Sequence, residues 1–301
     1  MKTFSIPAPD GLQLAAALEA PEKPKAILVL VHGMAEHKKR YFPFMTYLAE
    51  KGFACLITDL RGHGTTAATK EELGHFEKKG DELLVNDTLA VINYAKELYP
   101  GLKVFLTGHS MGSLIVRCFT KRHDTEIDGL VVCGSPSRNG AAGMGILLTR
   151  CIGLFKGKRY RSKFLENMAT GVYNKKFAQE GTNAWLSTNK ANVQAYNNDP
   201  LCGYPFTVMG YQGLMRLLED TYDVDDWKVT KPELPIHFIA GADDPCIVNI
   251  QQFSQAVSFL RSRGYKTVTS KVYPGLRHEI LNELGKEEVW RDVEAILSSW
   301  V

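Results

Sequence analysis

Across 301 residues the chain is 45% hydrophobic and 23% charged, with 36 basic against 33 acidic side chains and a formal charge of +3. Such a chain is globular, long enough for one large core or two modest ones, and neither disordered nor collagen-like. It falls far short of the basic footprint of a nucleic-acid binder, so small molecules are the expected partners.

The first residues, MKTFSIPAPDG, have no apolar h-region before their prolines and do not read as a secretory signal. Two short strands follow, near Thr3–Ile6 and Leu12–Leu18, joined by the turn Ala8-Pro9-Asp10-Gly11 as a hairpin at a sheet edge. Ala26 to Val31 is wholly apolar, as in a parallel strand buried on both faces, and runs into His32-Gly33-Met34. A helix from Phe42 to Lys51 stopped by Gly52, a strand from Phe53 to Asp59 and a helix from Glu82 to Leu98 continue the alternation.

Lys103 to Thr120 then reads strand, tight turn, helix, with Gly108-His109-Ser110-Met111-Gly112 at the bend. Glycines flanking Ser110 let strand and helix approach while the strained turn lifts the hydroxyl clear of the sheet. The Met111 amide is left at a helix N-terminus, where developing negative charge is favoured. After the strand Gly129–Cys133 the alternation stops, and it resumes at Ile236–Ala240 with a helix near Asn249–Ser262, a strand Thr267–Tyr273 and a last helix Lys286–Trp300. The pattern predicts an α/β fold with a mostly parallel central sheet and helices on both faces, built from 1–136 and 228–301. Residues 137–227 are expected to form an inserted, mainly helical cap.

In such sheets sites form beyond the strand carboxyl ends, and the reactive residue types fall there. A serine hydroxyl needs a base, and the base needs an acid to hold its tautomer. His278 sits in a loop after the last strand and supplies the base. Asp243-Asp244 supplies the acid, in the chain order Ser, Asp, His of a nucleophile-elbow hydrolase. His32 and His109 are expected to orient loops, and His37, His63, His75, His123 and His237 have no ligand-like partner in the sequence.

Six cysteines, Cys55, Cys118, Cys133, Cys151, Cys202 and Cys246, contain no CxxC pair and read as reduced thiols of a cytoplasmic protein, with no zinc site. Cys246 shares the loop of the acid.

Three segments carry a family resemblance: His32-Gly33-Met34-Ala35-Glu36-His37 with Arg40-Tyr41, Asp59-Leu60-Arg61-Gly62-His63-Gly64, and the Ser110 turn. With them the chain resembles the α/β-hydrolase superfamily and, within it, the monoacylglycerol lipase and lysophospholipase-like serine hydrolases, a group that shares its fold with serine aminopeptidases. The resemblance covers nearly the whole chain. It implies an oxyanion hole from the amides of Met34 and Met111, selects Asp244 as the acid, and requires no cofactor. Met34 stands where the family's lipases usually carry a small residue, and Arg277-His278-Glu279 is similar to bacterial lysophospholipase-like members.

The expected activity is hydrolysis of a monoacylglycerol, lysophospholipid or similar acyl ester through an acyl-enzyme on Ser110. The alternatives are an aminopeptidase or thioesterase on the same triad, or a non-catalytic binding protein on a hydrolase scaffold. Ile146, Leu147 and Leu148, in an apolar stretch too short to span a bilayer, are expected to wall an acyl tunnel. Trp185, Tyr196, Phe206, Tyr211 and Met215 read either as further tunnel residues or as core. The basic run Lys156 to Lys163 has two readings: a solvated turn after a packed helix, or the rim of a lid that touches anionic lipid transiently.

Overall fold

The computed structural model describes residues 1–138, 140 and 142–301. Its strands are β1 (Lys2–Pro7), β2 (Gln13–Glu19), β3 (Ala26–Val31), β4 (Phe53–Thr58), β5 (Val104–His109), β6 (Gly129–Cys133), β7 (Ile236–Gly241) and β8 (Val268–Tyr273). They form one sheet in the order β1-β2-β4-β3-β5-β6-β7-β8. β1 and β2 pair antiparallel, as do β2 and β4, and every pairing from β4 to β8 is parallel. The apolar runs are therefore central parallel strands, and the hairpin is the edge.

Side chains alternate across the sheet, so each strand feeds two cores. Ile27, Val29 and Val31 of β3 join one core, and Ala26, Leu28 and Leu30 join the other. The first is closed by α2 (Gly80–Leu98), α3 (Met111–His123) and α9 (Ile250–Arg263), the second by α1 (Phe42–Glu50) and α10 (Lys286–Trp300). α9 starts on an Asn249 side chain that accepts from Gln252 N and ends on Gly264 at φ +118, the usual stop for a helix.

Between β6 and β7 lie α4 (Ala142–Lys156), α5 (Lys163–Glu166), a π-turn at Asn167–Gly171, α6 (Val172–Lys176), α7 (Lys190–Asn198) and α8 (Val208–Tyr222). α4 packs along α8: Gly145 lies where a Cβ would come within 3.1 Å of Met215 Sδ. None of the helices is long and apolar enough to cross a membrane among the described residues.

Candidate active site

The turn at Ser110 is built as its residue types require. Ser110 holds φ +54 and ψ −120, a conformation that costs a non-glycine residue on the order of 1–3 kcal/mol. Gly108 and Gly112 make it fit, because a Cβ on the first would sit 2.3 Å from Gly112 O and one on the second 2.2 Å from Val31 O. Ser110 is thus placed at the N-terminus of α3, between the ends of β3 and β6, with its amide bonded to Cys133 O at 3.0 Å.

The structure brings the sequence-predicted acid and base together. Asp244 Oδ2 accepts from His278 Nδ1 at 2.9 Å, with both residues almost wholly buried. Their loops are tied by Ala242 N to Tyr273 O at 2.9 Å and Asp243 N to Leu276 O at 3.0 Å. Asp243 is exposed, so burial separates two residues that composition alone leaves equivalent. His278 Nε2 has Cys246 Sγ at 3.9 Å, and Ser110 Oγ makes no hydrogen bond among the described residues. Apo sites commonly close that last contact only with substrate.

Met34 and Met111 both line the cavity at Ser110, and neither amide has a hydrogen-bond partner among the described residues. The loop carrying Met34 is held by a buried carboxylate. Glu36 Oε1 accepts from Gly33 N at 2.6 Å and Tyr41 Oη at 2.9 Å, and faces His109 Nδ1 at 3.3 Å. Burial pushes the Glu36 carboxyl upward, but the His109 hydrogen bond and the Arg40 charge outweigh it and hold it well below the usual carboxylate range. Arg40 bridges Glu36 Oε2 at 2.9 Å to both oxygens of Glu279 at 2.6 and 2.7 Å, so the residue next to His278 is anchored to the Met34 loop.

His109 completes this frame with Nε2 to His278 O at 3.1 Å. His32 donates Nδ1–H to Gly33 O at 2.8 Å and accepts from Leu60 N at 3.0 Å, which fixes its tautomer. Asp59, at the end of β4, accepts from Lys38 N at 2.8 Å and Thr65 N at 2.7 Å and pins the far side of the same loop.

Sequence reasoning missed the Glu36–Arg40–Glu279 bridge. The spacing of Glu36, Arg40 and Tyr41 within the quoted motif was its only local signal. His37, expected to lack a ligand-like partner, meets Asp199 Oδ2 at 2.9 Å, with Cys202 close by. The contact joins residues 162 positions apart and has no sequence signature.

The cavity at Ser110 measures about 270 Å³. Tyr211, Leu214, Met215 and Leu218 reach it from successive turns of α8, and Met168, Ala169 and Tyr173 from the chain before it. The expectation for α4 needs correction: Ile146, Leu147 and Leu148 do not line this cavity. The buried face of α4 is Ala142, Gly145, Ile146 and Thr149, which packs on α8, and helical geometry turns Leu147 to solvent with 54% of its surface exposed. Of the other aromatic and methionine candidates, Trp185, Tyr196, Tyr211 and Met215 line the cavity, and Phe206 is core.

Known proteins resemble the chain along its whole length. A monoacylglycerol lipase of Mycolicibacterium smegmatis is 26% identical over 278 residues, 92% of this chain and 88% of that one. A phospholipase of Bacillus subtilis is 25% identical over 285 residues, 93% and 98% of the two chains. A thermostable carboxyl esterase from Bacillus coagulans, solved with glycerol, superposes with a TM-score of 0.90 at 27% identity, covering 100% of this chain and 99% of its own. The fold is that of the α/β-hydrolases, and with residues 22–285 matching the serine aminopeptidase S33 family, the chain belongs to that family.

Proposed function

We propose that the protein cleaves a carboxylic ester of the monoacylglycerol or lysophospholipid type by way of an acyl-enzyme on Ser110. The observation that carries this reading is the buried Asp244–His278 hydrogen bond beside a serine held at the tip of a strand-to-helix turn. The chain is a carboxylic ester hydrolase. The monoacylglycerol lipase, phospholipase and carboxyl esterase that it resembles support the substrate class.

In the proposed reaction Ser110 Oγ attacks the ester carbonyl while its proton passes to His278 Nε2. Asp244 keeps the other ring nitrogen protonated and stabilises the imidazolium. The amides of Met34 and Met111 receive the oxyanion, each such donor contributing about 3 kcal/mol. His278 returns the proton to the leaving alcohol, and water, activated by the same imidazole, releases the acid.

Residues 137–227 act in this reading as a cap over the serine, with the apolar stripe of α8 receiving the acyl chain. Near the end of α4, Leu154 and Phe155 are 82% and 83% exposed, and the exposed lysines Lys156, Lys158 and Lys163 follow them in the chain. This favours transient contact with anionic lipid. Arg159 and Arg161 of the same run bind Glu72 Oε1 at 2.9 Å and Leu73 O at 2.7 Å.

The test is a panel of p-nitrophenyl esters, monoacylglycerols, lysophospholipids, thioesters and aminoacyl amides, combined with fluorophosphonate labelling mapped by mass spectrometry. Hydrolysis of acyl esters with label on Ser110 is expected. Turnover confined to aminoacyl amides or thioesters would replace the proposed substrate class, and label on another serine would remove the nucleophile.

A further inference from the structure

The imidazole of His278 has a soft neighbour that ester hydrolysis does not use. Cys246 lies two residues beyond Asp244, and its amide donates to Asp244 Oδ1 at 2.8 Å. This bond sets the short turn Pro245–Ile247, and the thiol stands with Sγ 3.9 Å from His278 Nε2. One ligand-capable atom from each of Asp244, Cys246 and His278 lies within 4.8 Å of the other two, and all three residues are buried. Cys246 and His278 both face the cavity at Ser110, which gives an ion a route in.

The separation suits a thiophilic metal. Zinc bound at about 2.3 Å from sulfur and about 2.0–2.1 Å from an imidazole nitrogen, in tetrahedral geometry, sets those two atoms about 3.6 Å apart. A side-chain adjustment of a few tenths of an ångström reaches that distance. The carboxylate also stands where metal-binding histidines commonly have one, on the opposite ring nitrogen, where it fixes the tautomer and raises the basicity of the ligand.

We propose that Cys246 and His278 form a site for a thiophilic divalent cation of the zinc class, and that the cation reversibly inhibits the enzyme. The inhibitory part rests on the reading of His278 as the base. Asp244 holds the Nδ1 proton, so the free lone pair of the ring is on Nε2, and the metal takes that lone pair. Cys246 releases its thiol proton to buffer and binds as thiolate, and the remaining positions face the cavity. The metal and the Ser110 proton compete for one lone pair, so a metal-bound enzyme has no base.

Two measurements test this. In the first, zinc chloride is titrated into the protein hydrolysing p-nitrophenyl butyrate in a non-chelating buffer, with each variant normalised to its own metal-free rate. Saturable inhibition reversed by EDTA is expected in wild type and in Cys151→Ala and Cys202→Ala. In both Cys246→Ala and Cys246→Ser the inhibition constant should rise by about tenfold or more. Inhibition unchanged in both Cys246 variants overturns the site.

The second measurement needs no activity. Cobalt chloride added to Ser110→Ala should give a thiolate-to-cobalt charge-transfer band that saturates at one equivalent and disappears when Cys246→Ser or His278→Ala is added. A missing band in Ser110→Ala, or one that persists in both double variants, overturns the site even if the wild type hydrolyses esters. A band with the expected dependence in a protein that cleaves no ester leaves the metal site standing and removes the hydrolase reading instead.

Discussion

The indole of Trp185 lies against the imidazole of His278, with ring centroids 5.0 Å apart and planes inclined by 38°. His109 packs on the same imidazole at 4.6 Å. The loop of Trp185 is tied to the loop of His278 by Glu279 N to Leu186 O at 2.7 Å and by Arg277 to Ala184 O at 2.7 Å. Glu283 adds a third tie, accepting from Ser187 Oγ at 2.6 Å and Arg277 N at 2.9 Å. The segment between β6 and β7 is therefore tied directly to the loop of the proposed base.

Trp185→Ala should lower kcat for a short soluble ester by about 10- to 100-fold with little change in KM, because a misplaced base of about 1 Å costs on that order. Trp185→Phe keeps an aromatic face on the ring and should recover most of the loss. Steady-state kinetics on p-nitrophenyl acetate decide it: a pure KM effect in Trp185→Ala would assign the indole to substrate contact alone.

Asp244 and Asp243 offer a sharper contrast. Asp244→Asn removes the acceptor that holds the His278 tautomer and should reduce kcat by about 10⁴, while Asp243→Asn, at an exposed position, should leave the rate within about twofold. Ser110→Ala should abolish both turnover and fluorophosphonate labelling with the fold retained by circular dichroism. Comparable losses at the two aspartates would break the assignment of the acid.

The ion pair under the Met34 loop makes a pH prediction. Burial pushes Glu36 up, but its His109 hydrogen bond and Arg40 lower it below the usual 4.5; burial pushes His109 down, but Glu36 raises it above the usual 6.5. A lowered carboxyl stabilises above its unfolded value and loses that contribution as pH falls through the folded value. A raised histidine contributes fully below 6.5 and loses its contribution as pH rises through the folded value. The pair is thus strongest between 4.5 and 6.5. Glu36→Gln removes the carboxylate that faces His109, while Arg40 keeps its two bonds to Glu279, and should cost about 1–3 kcal/mol in that window. Urea midpoints measured across pH would show the wild-type maximum there flattened in the variant, and parallel profiles would contradict the pairing.

The sheet and the serine turn were legible because their causes are local. Wholly apolar strands, Gly108 and Gly112 around Ser110, and the loops after β7 and β8 are each written in a few adjacent residues. The strand order was less accessible, since placing β4 between β2 and β3 depends on how the chain crosses over the sheet. Arg40 meets Glu279 across 239 positions, a pairing that no spacing rule reaches. The acyl-wall assignment failed for a related reason. An apolar run such as Ile146-Leu147-Leu148 does not declare which neighbour covers it, and the match of Gly145 to Met215 turned that run away from the cavity.

That correction moves the specificity prediction from α4 to α8. Tyr211, Leu214, Met215 and Leu218 recur at helical spacing and present one apolar stripe to the cavity beside Ser110. Each methylene buried against that stripe contributes about 0.8 kcal/mol, which raises kcat/KM by about fourfold per carbon until the cavity is filled. Replacing Leu214 and Leu218 by serine should flatten this rise while leaving acetyl ester hydrolysis within a fewfold, since the serine turn and the Met34 loop belong to other elements. Leu147→Ser, on the solvent face, should leave the chain-length profile of soluble esters unchanged and weaken only binding to anionic vesicles. A profile that survives the α8 changes and collapses with Leu147→Ser would return the acyl wall to α4 and show that the helices between β6 and β7 rearrange when substrate binds.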